Sequence, residues 1–238
     1  MPSVLVVQHE DRCPLDRMQG WLAAVDVEPV WCRPYLGDAV PATVAQDALV
    51  VLGGHMGAND DADCPWLPRV RTLLANSVGD ATPTLGICLG AQLLAVAAGG
   101  RVEVGAAGLE GGVLDVRLRP EAADDPLLAG LPDPLPAPSM HADAVVELPP
   151  DAVWLGATTA YPHQVFRVGG AAWGVQFHPE VSLPTYRAWA AGHEQDWAAA
   201  GTDGAAVVEQ LVRREQEVAA VGRALTARFA RLLPPDEA

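Results

Sequence analysis

Cys88 stands between Gly86 and Gly90 in "TLGICLGAQ", a G-x-C-x-G pattern where an apolar run ending at Ile87 gives way to a helical one. The spacing suits a nucleophile. A sharp strand-to-helix turn presents its side chain to a cleft, flanking glycines relieve crowding, and the first-turn N–H groups of the helix favour a thiolate. A small packed thiol fits the same turn, so the reading depends on a base. "GVQFHPE" supplies His178 and Glu180. If the strand "WGVQF" runs on through His178, residues two apart share a face, with Pro179 holding the backbone between them extended. The imidazole can then take the thiol proton, while the carboxylate orients the ring and stabilises its charged form.

These groups need a scaffold, and the first half of the chain has one in its pattern. "SVLVVQ", "VEPVWC", "DALVVLGG" and "TPTLGI" read as short strands. They alternate with helical stretches: "LDRMQGWLAAV", with Leu15, Met18, Leu22 and Val25 on one stripe, then "CPWLPRVRTLLANS" and "LGAQLLAVAAGG". Alternation of this kind predicts βαβ units and a doubly wound, mainly parallel sheet. From Gly111 the pattern turns strand-rich and antiparallel in character: "GGVLDVRL", "AVVELPP", "AVWLGATT", "HQVFRV" and "AAWGVQF". "LPDPLPAPS", residues 131–139, reads as a rigid surface loop, and the tail from Pro184 as two helices separated near "GTDG". The expected organisation is one α/β domain over residues 1–183, with C-terminal helices, residues 184–238, packed on it.

Composition narrows the partners. Thirty acidic against 15 basic residues give a net charge of −15, which opposes binding to nucleic acid or anionic membranes. The apolar stretch around Cys88 is too short and Gly-rich to span a bilayer. "MPSVLVVQHEDR" has no basic n-region or cleavage site, so a cytoplasmic location is expected. Cys13, Cys32 and Cys64 lie outside any elbow and are expected to be reduced bystanders. His9, His55, His163 and His193 lack metal-ligand spacing and are assigned surface or loop roles, with no metal and no cofactor. The seven tryptophans are expected in the core and at helix interfaces.

"GICLGAQ" together with "GVQFHPE" resembles the paired signatures of class I, triad-type glutamine amidotransferases, in their order and spacing. "VLGGHMGANDD", "MHADAVVELP" and the helical tail are similar to the stand-alone branch related to the amidotransferase domain of GMP synthase. The resemblance implies that Cys88 forms a γ-glutamyl thioester, with His178 as base and then acid and Glu180 as orienter. Gly54 and Leu89 are implied as the N–H donors of an oxyanion hole, and Gln92, with backbone around His141, Ala142 and Asp143, as the binder of glutamine. The loop usually reads Gly-Gly-Pro, and His55 in place of proline implies a less rigid segment at residues 53–61, where a partner docks. Ala142 replaces the glycine of a usual His-Gly-Asp, so a β-carbon narrows the pocket or changes which γ-glutamyl compound fits. No nucleotide-binding loop is present in the sequence. A separate synthetase as ammonia acceptor, a self-sufficient γ-glutamyl amide hydrolase and a non-catalytic binding protein all remain open, although a non-catalytic copy has no physical need of all three triad residues.

Overall fold

The computed structural model describes residues 1–199 and 201–234. Strands β1 (Ser3–Val7), β2 (Glu28–Cys32), β3 (Ala48–Val51) and β4 (Thr84–Ile87) alternate with helices α1 (Asp16–Ala23), α2 (Leu67–Gly79) and α3 (Leu89–Ala97). Strands β5 (Arg101–Val104) to β11 (Ala172–Val175) follow, including β6 (Glu110–Leu118), β7 (Leu135–His141), β8 (Asp143–Glu147), β9 (Val153–Ala157) and β10 (Val165–Val168). The main sheet has the order β2-β1-β3-β4-β11-β10-β9-β6-β7, and β5 pairs with β8 apart from it. β1 to β4 and β11 run parallel, while β11, β10, β9, β6 and β7 are linked by antiparallel pairings.

The continuous apolar runs of β1, β3 and β4 follow from burial on both faces. Val4 and Val6 of β1 face one core layer with Met18 and Leu22 of α1. Leu5 and Val7 face the other, with Val70, Leu73 and Leu74 of α2 and Leu93 and Leu94 of α3. At the expected close of α3, Gly99 takes a left-handed φ of 92°, as a helix-ending glycine does.

Four expectations change. The strand pattern hidden by prolines is the largest: residues 135–139 are not a surface loop but the buried first part of β7. β7 is the sheet's edge and pairs with no strand but β6, so Pro136 and Pro138 remove no donor the ladder needs. α1 stops at Ala23, and Val25 is exposed while Val27 takes the core position. Among the described residues the tail forms three helices, α4 (Leu183–Ala190), α5 (Glu194–Ala199) and α6 (Gly204–Ala230); the additional break lies at Gly192 and His193, and "GTDG" marks only the second. The strand before His178 ends at Val175 rather than continuing, as described below.

α6 starts on Asp203, whose carboxylate caps the helix by accepting from Ala206 N–H at 2.7 Å. Its Val221, Leu225 and Phe229 enter the core layer that holds α1. At Gly222 the helix comes so near the turn after β11 that a β-carbon would lie 2.1 Å from the Pro179 carbonyl oxygen and 2.8 Å from the Trp21 ring. No helix among the described residues is long and apolar enough to cross a membrane.

Candidate active site

Three adjacent parallel strands, β3, β4 and β11, end at the same edge of the sheet, where open α/β sheets bind ligands. β3 delivers Gly53 and Gly54, β4 delivers Cys88, and β11 delivers His178. Cys88 N–H still donates to Val175 O at 2.9 Å, so the Cys88 turn is stitched to the strand that leads to His178.

The elbow is real in its dihedrals. Cys88 has φ 51° and ψ −106°, a region that costs a non-glycine residue about 1–3 kcal/mol. The glycines make the turn possible by removing bulk. A β-carbon on Gly90 would stand 2.0 Å from Val51 O, and one on Gly86 2.5 Å from Gly90 O. Gly90→Ala is therefore expected to lower folding stability by about 1–3 kcal/mol through overpacking. Denaturant titration checks this, and an unchanged midpoint would show that α3 does not need its close seat on β3.

His178 and Glu180 meet, but not across the pleat of a strand. Gln176 N–H donates to Gln164 O at 2.9 Å, then His178 N–H leaves for Pro138 O at 2.8 Å on β7. Val181 N–H returns to His178 O at 3.4 Å, closing a turn with Pro179 in the second position that proline favours. The turn sets Glu180 Oε1 2.7 Å from His178 Nδ1. Both side chains are buried, and Glu180 Oε2 finds no partner among the described residues. Burial pushes His178 down, but the Glu180 carboxylate and the Cys88 sulfur outweigh it and lift the imidazole to about 10. The ring is thus held ready to carry a proton beside the sulfur.

The glycine loop covers this pair. A β-carbon on Gly53 would stand 2.9 Å from His178 Cε1 and 3.6 Å from Cys88 Cβ. Gly54 abuts the Leu89 side chain, whose Cδ2 would lie 3.0 Å from a β-carbon placed there. Neither Gly54 N–H nor Leu89 N–H has an acceptor in the protein among the described residues. The loop is also less free than its missing proline suggests, because His55 is tied at its backbone and its ring to Glu10, at 2.7 and 3.0 Å.

The third group of residues lies on β7 and β8. Gln92 is buried, and its Nε2 donates to Asp143 O at 3.0 Å and to Gln176 Oε1 at 3.3 Å. His141 Nδ1 also contacts Asp143 O, at 2.9 Å, and its Nε2 contacts Glu110 Oε2 at 3.0 Å. Gln164 and Thr158 donate to the same Glu110 carboxylate at 2.6 Å each. Ala142 is exposed and its carbonyl accepts from Gly105 N–H at 2.8 Å. Burial, with Asp60 nearby, raises the Asp143 carboxyl, against the pull of His141.

Several neighbours of the site escape the sequence patterns. Gln176 Nε2 lies 3.6 Å from Cys88 Sγ; its place in "GVQFHPE", directly after the strand beside β4, is the one sequence signal that could have found it. Trp189 of α4 lies over His178, with ring centroids 4.6 Å apart, and nothing in its local sequence announces this. His9 is not at the surface but buried, its Nδ1 accepting from Trp66 Nε1 at 3.1 Å, and burial lowers it to about 4 against the Glu10 charge. His55 is exposed, whereas His193 and His163 are partly buried, His163 with its Nδ1 2.7 Å from Val145 O. Cys13 approaches closely enough to feel the charges of Cys88 and Glu180, while burial foremost pushes its thiol up. All four cysteines are free.

Comparison with known proteins bears on the family and the fold. The family model for glutamine amidotransferase class-I matches residues 25–189. A glutamine-hydrolyzing GMP synthase subunit of Halobacterium salinarum is 36% identical over 60% of this chain and 70% of its own. GMP synthase of Thermus thermophilus is 34% identical over 76% of this chain but only 34% of its own length, and the match to that of Porphyromonas gingivalis spans 19% of the relative. Among solved structures, a glutamine amidotransferase of Thermotoga maritima superposes with a TM-score of 0.84 at 27% identity, covering 96% of this chain and 97% of its own. Another from Methylobacillus flagellatus gives 0.87 at 25% identity, covering 100% and 98%. With the family model spanning more than half of the sequence and the fold shared with solved members, the chain belongs to the class I glutamine amidotransferase family.

Proposed function

We propose that the protein hydrolyses the side-chain amide of glutamine through a cysteinyl thioester and supplies the ammonia to a separate synthetase. The observation that carries this reading is the arrangement of Cys88 on a strained strand-to-helix turn beside a buried His178 that Glu180 holds in its charged form. The Cys88 thiolate attacks the amide carbon, and negative charge gathers on the carbonyl oxygen, toward which Gly54 and Leu89 supply N–H groups. His178 protonates the departing nitrogen, ammonia leaves, and the γ-glutamyl thioester remains on sulfur. Water then attacks the thioester, His178 accepts its proton, and glutamate leaves as Cys88 is restored. Gln92 and His141 act on the binding segment by fixing the Asp143 carbonyl, and the segment 141–143 holds the amino-acid end of the substrate. The cytosolic setting and the single-domain organisation with packed C-terminal helices belong to the same reading.

A second reading, a self-sufficient γ-glutamyl amide hydrolase, draws on one feature: the glycine loop is already secured by the chain's own Glu10, so docking is not needed to order it. The purified protein is to be assayed against glutamine and a panel of γ-glutamyl amides, reading ammonia or amine release. The synthetase reading expects slow glutamine hydrolysis, about 10-fold or more below the rate with a partner, in keeping with loop closure gating turnover. Fast hydrolysis of one panel member by the isolated chain would sink it and favour the second reading.

A further inference from the structure

The loop that follows β1 supports the active site from outside it. Glu10 lies three residues beyond β1, and its side chain is only 13% exposed. Its Oε1 accepts from His55 N–H at 2.7 Å and its Oε2 from the His55 imidazole at 3.0 Å. Arg12 Nε at 3.2 Å and the Cys13 thiol at 3.5 Å complete the set. Burial raises the carboxyl, yet the His55 N–H, the His55 ring and Arg12 hold it below the usual carboxylate range. The residue before it supports the same loop from inside: a β-carbon on Gly54 would stand 3.3 Å from His9 Cβ, 2.5 Å from Met56 Sδ and 3.0 Å from Leu89 Cδ2. Gly54 is therefore packed on one side by residue 9, and its successor is hydrogen-bonded by residue 10.

We propose that Glu10 is a positioning residue for the reaction: by binding His55 at two atoms it fixes the backbone that aims the Gly54 N–H at the developing oxyanion. The backbone bond exists because residue 55 retains an N–H that proline lacks. His55 is exposed, and an ion pair there adds little to folding, whereas an oxyanion donor must stand in a narrow range of positions to act. The effect of Glu10 on the reaction is therefore read from kcat, apart from the stability that its depressed carboxyl adds at neutral pH. This inference rests on the amide-hydrolysis reading above.

The test compares wild type with Glu10→Ala and Glu10→Gln in three measurements on the full chain. Loss of Glu10 is expected to lower kcat for glutamine by about 10- to 100-fold, short of the full effect of deleting an oxyanion donor, with KM changed less than about twofold since ground-state binding is untouched. Alkylation of Cys88 by iodoacetamide, a displacement at a tetrahedral carbon that builds no oxyanion, is expected at the wild-type rate. Hydrogen exchange at the His55 amide should quicken in Glu10→Ala, with Glu10→Gln intermediate because one oxygen still accepts. Unchanged kcat in a wild type that does turn over glutamine, or alkylation that slows in step with kcat, overturns the assignment. The exchange measurement needs no activity: unaltered His55 protection defeats the clamp itself, while a wild type inert toward glutamine defeats only the functional reading.

Discussion

Cys88→Ala is expected to abolish amide hydrolysis, and His178→Ala to come close, each losing on the order of 10⁴-fold or more because a nucleophile and its base fail as a unit. The structure gives the reason in the placement of both at the ends of neighbouring strands, with Cys88 N–H bonded to the strand that leads to His178. A diazo-oxo-norleucine analogue of glutamine should label Cys88 alone. Burial pushes the thiols of Cys13, Cys32 and Cys64 up, which leaves them poor nucleophiles at neutral pH. Only Cys88 combines a helix N-terminus with an imidazole. Peptide mapping of the labelled protein checks the assignment, and label mainly on another cysteine would refute it.

Glu180→Gln should cost less, about 10²–10³-fold in kcat, within the range for a positioned acid–base group. The amide oxygen can still accept from Nδ1, but it carries no charge to support an imidazolium. Wild-type His178 is opposed by burial and lifted by Glu180 and Cys88 from its ordinary 6.5 to about 10, so it stays protonated throughout the neutral range. The alkaline limb of the kcat/KM profile, which reports the free enzyme, should therefore lie near pH 10 in wild type and move toward neutrality in the variant. Linkage gives the matching sign for stability. A folded-state value raised above the unfolded one contributes stability that is complete below about pH 6.5 and is lost as pH rises through about 10. Unfolding titrations between those limits should show a steeper decline in wild type than in Glu180→Gln. Identical slopes and identical alkaline limbs would remove Glu180 from its role.

The parts of the molecule legible in sequence are those governed by local rules. β1, β3 and β4 announce themselves by unbroken apolar runs because both faces are buried, and Cys88 by glycines whose β-carbons would collide with backbone. The prolines of residues 131–139 misled because edge position, which makes them harmless, is a property of the whole sheet. His178 and Glu180 were recognisable as a pair, yet the pleat is the wrong cause: Pro179 bends the chain into a turn, and the ring meets its carboxylate there. Glu10, Trp189 and Glu110 reach the site across 45, 11 and 31 residues to His55, His178 and His141. No periodicity encodes such meetings. The His55 substitution reads locally as added freedom, and only the fold supplies the carboxylate that takes that freedom away.

The close approach of α6 to the turn after β11 has a further consequence. A helix of 27 residues is about 40 Å long at 1.5 Å per residue, and this one leans, through the hydrogen of Gly222, on the peptide between His178 and Glu180. Cys88 is seated in the parallel half of the sheet, whereas the turn that carries His178 and Glu180 is backed by a helix lying beyond the matched residues 25–189. Because the same helix sends Val221, Leu225 and Phe229 into the core layer against the sheet, the turn and the core share one support. If the proposed function holds, fraying of this helix is expected to lower activity and stability together, the acid–base turn and the core giving way as one.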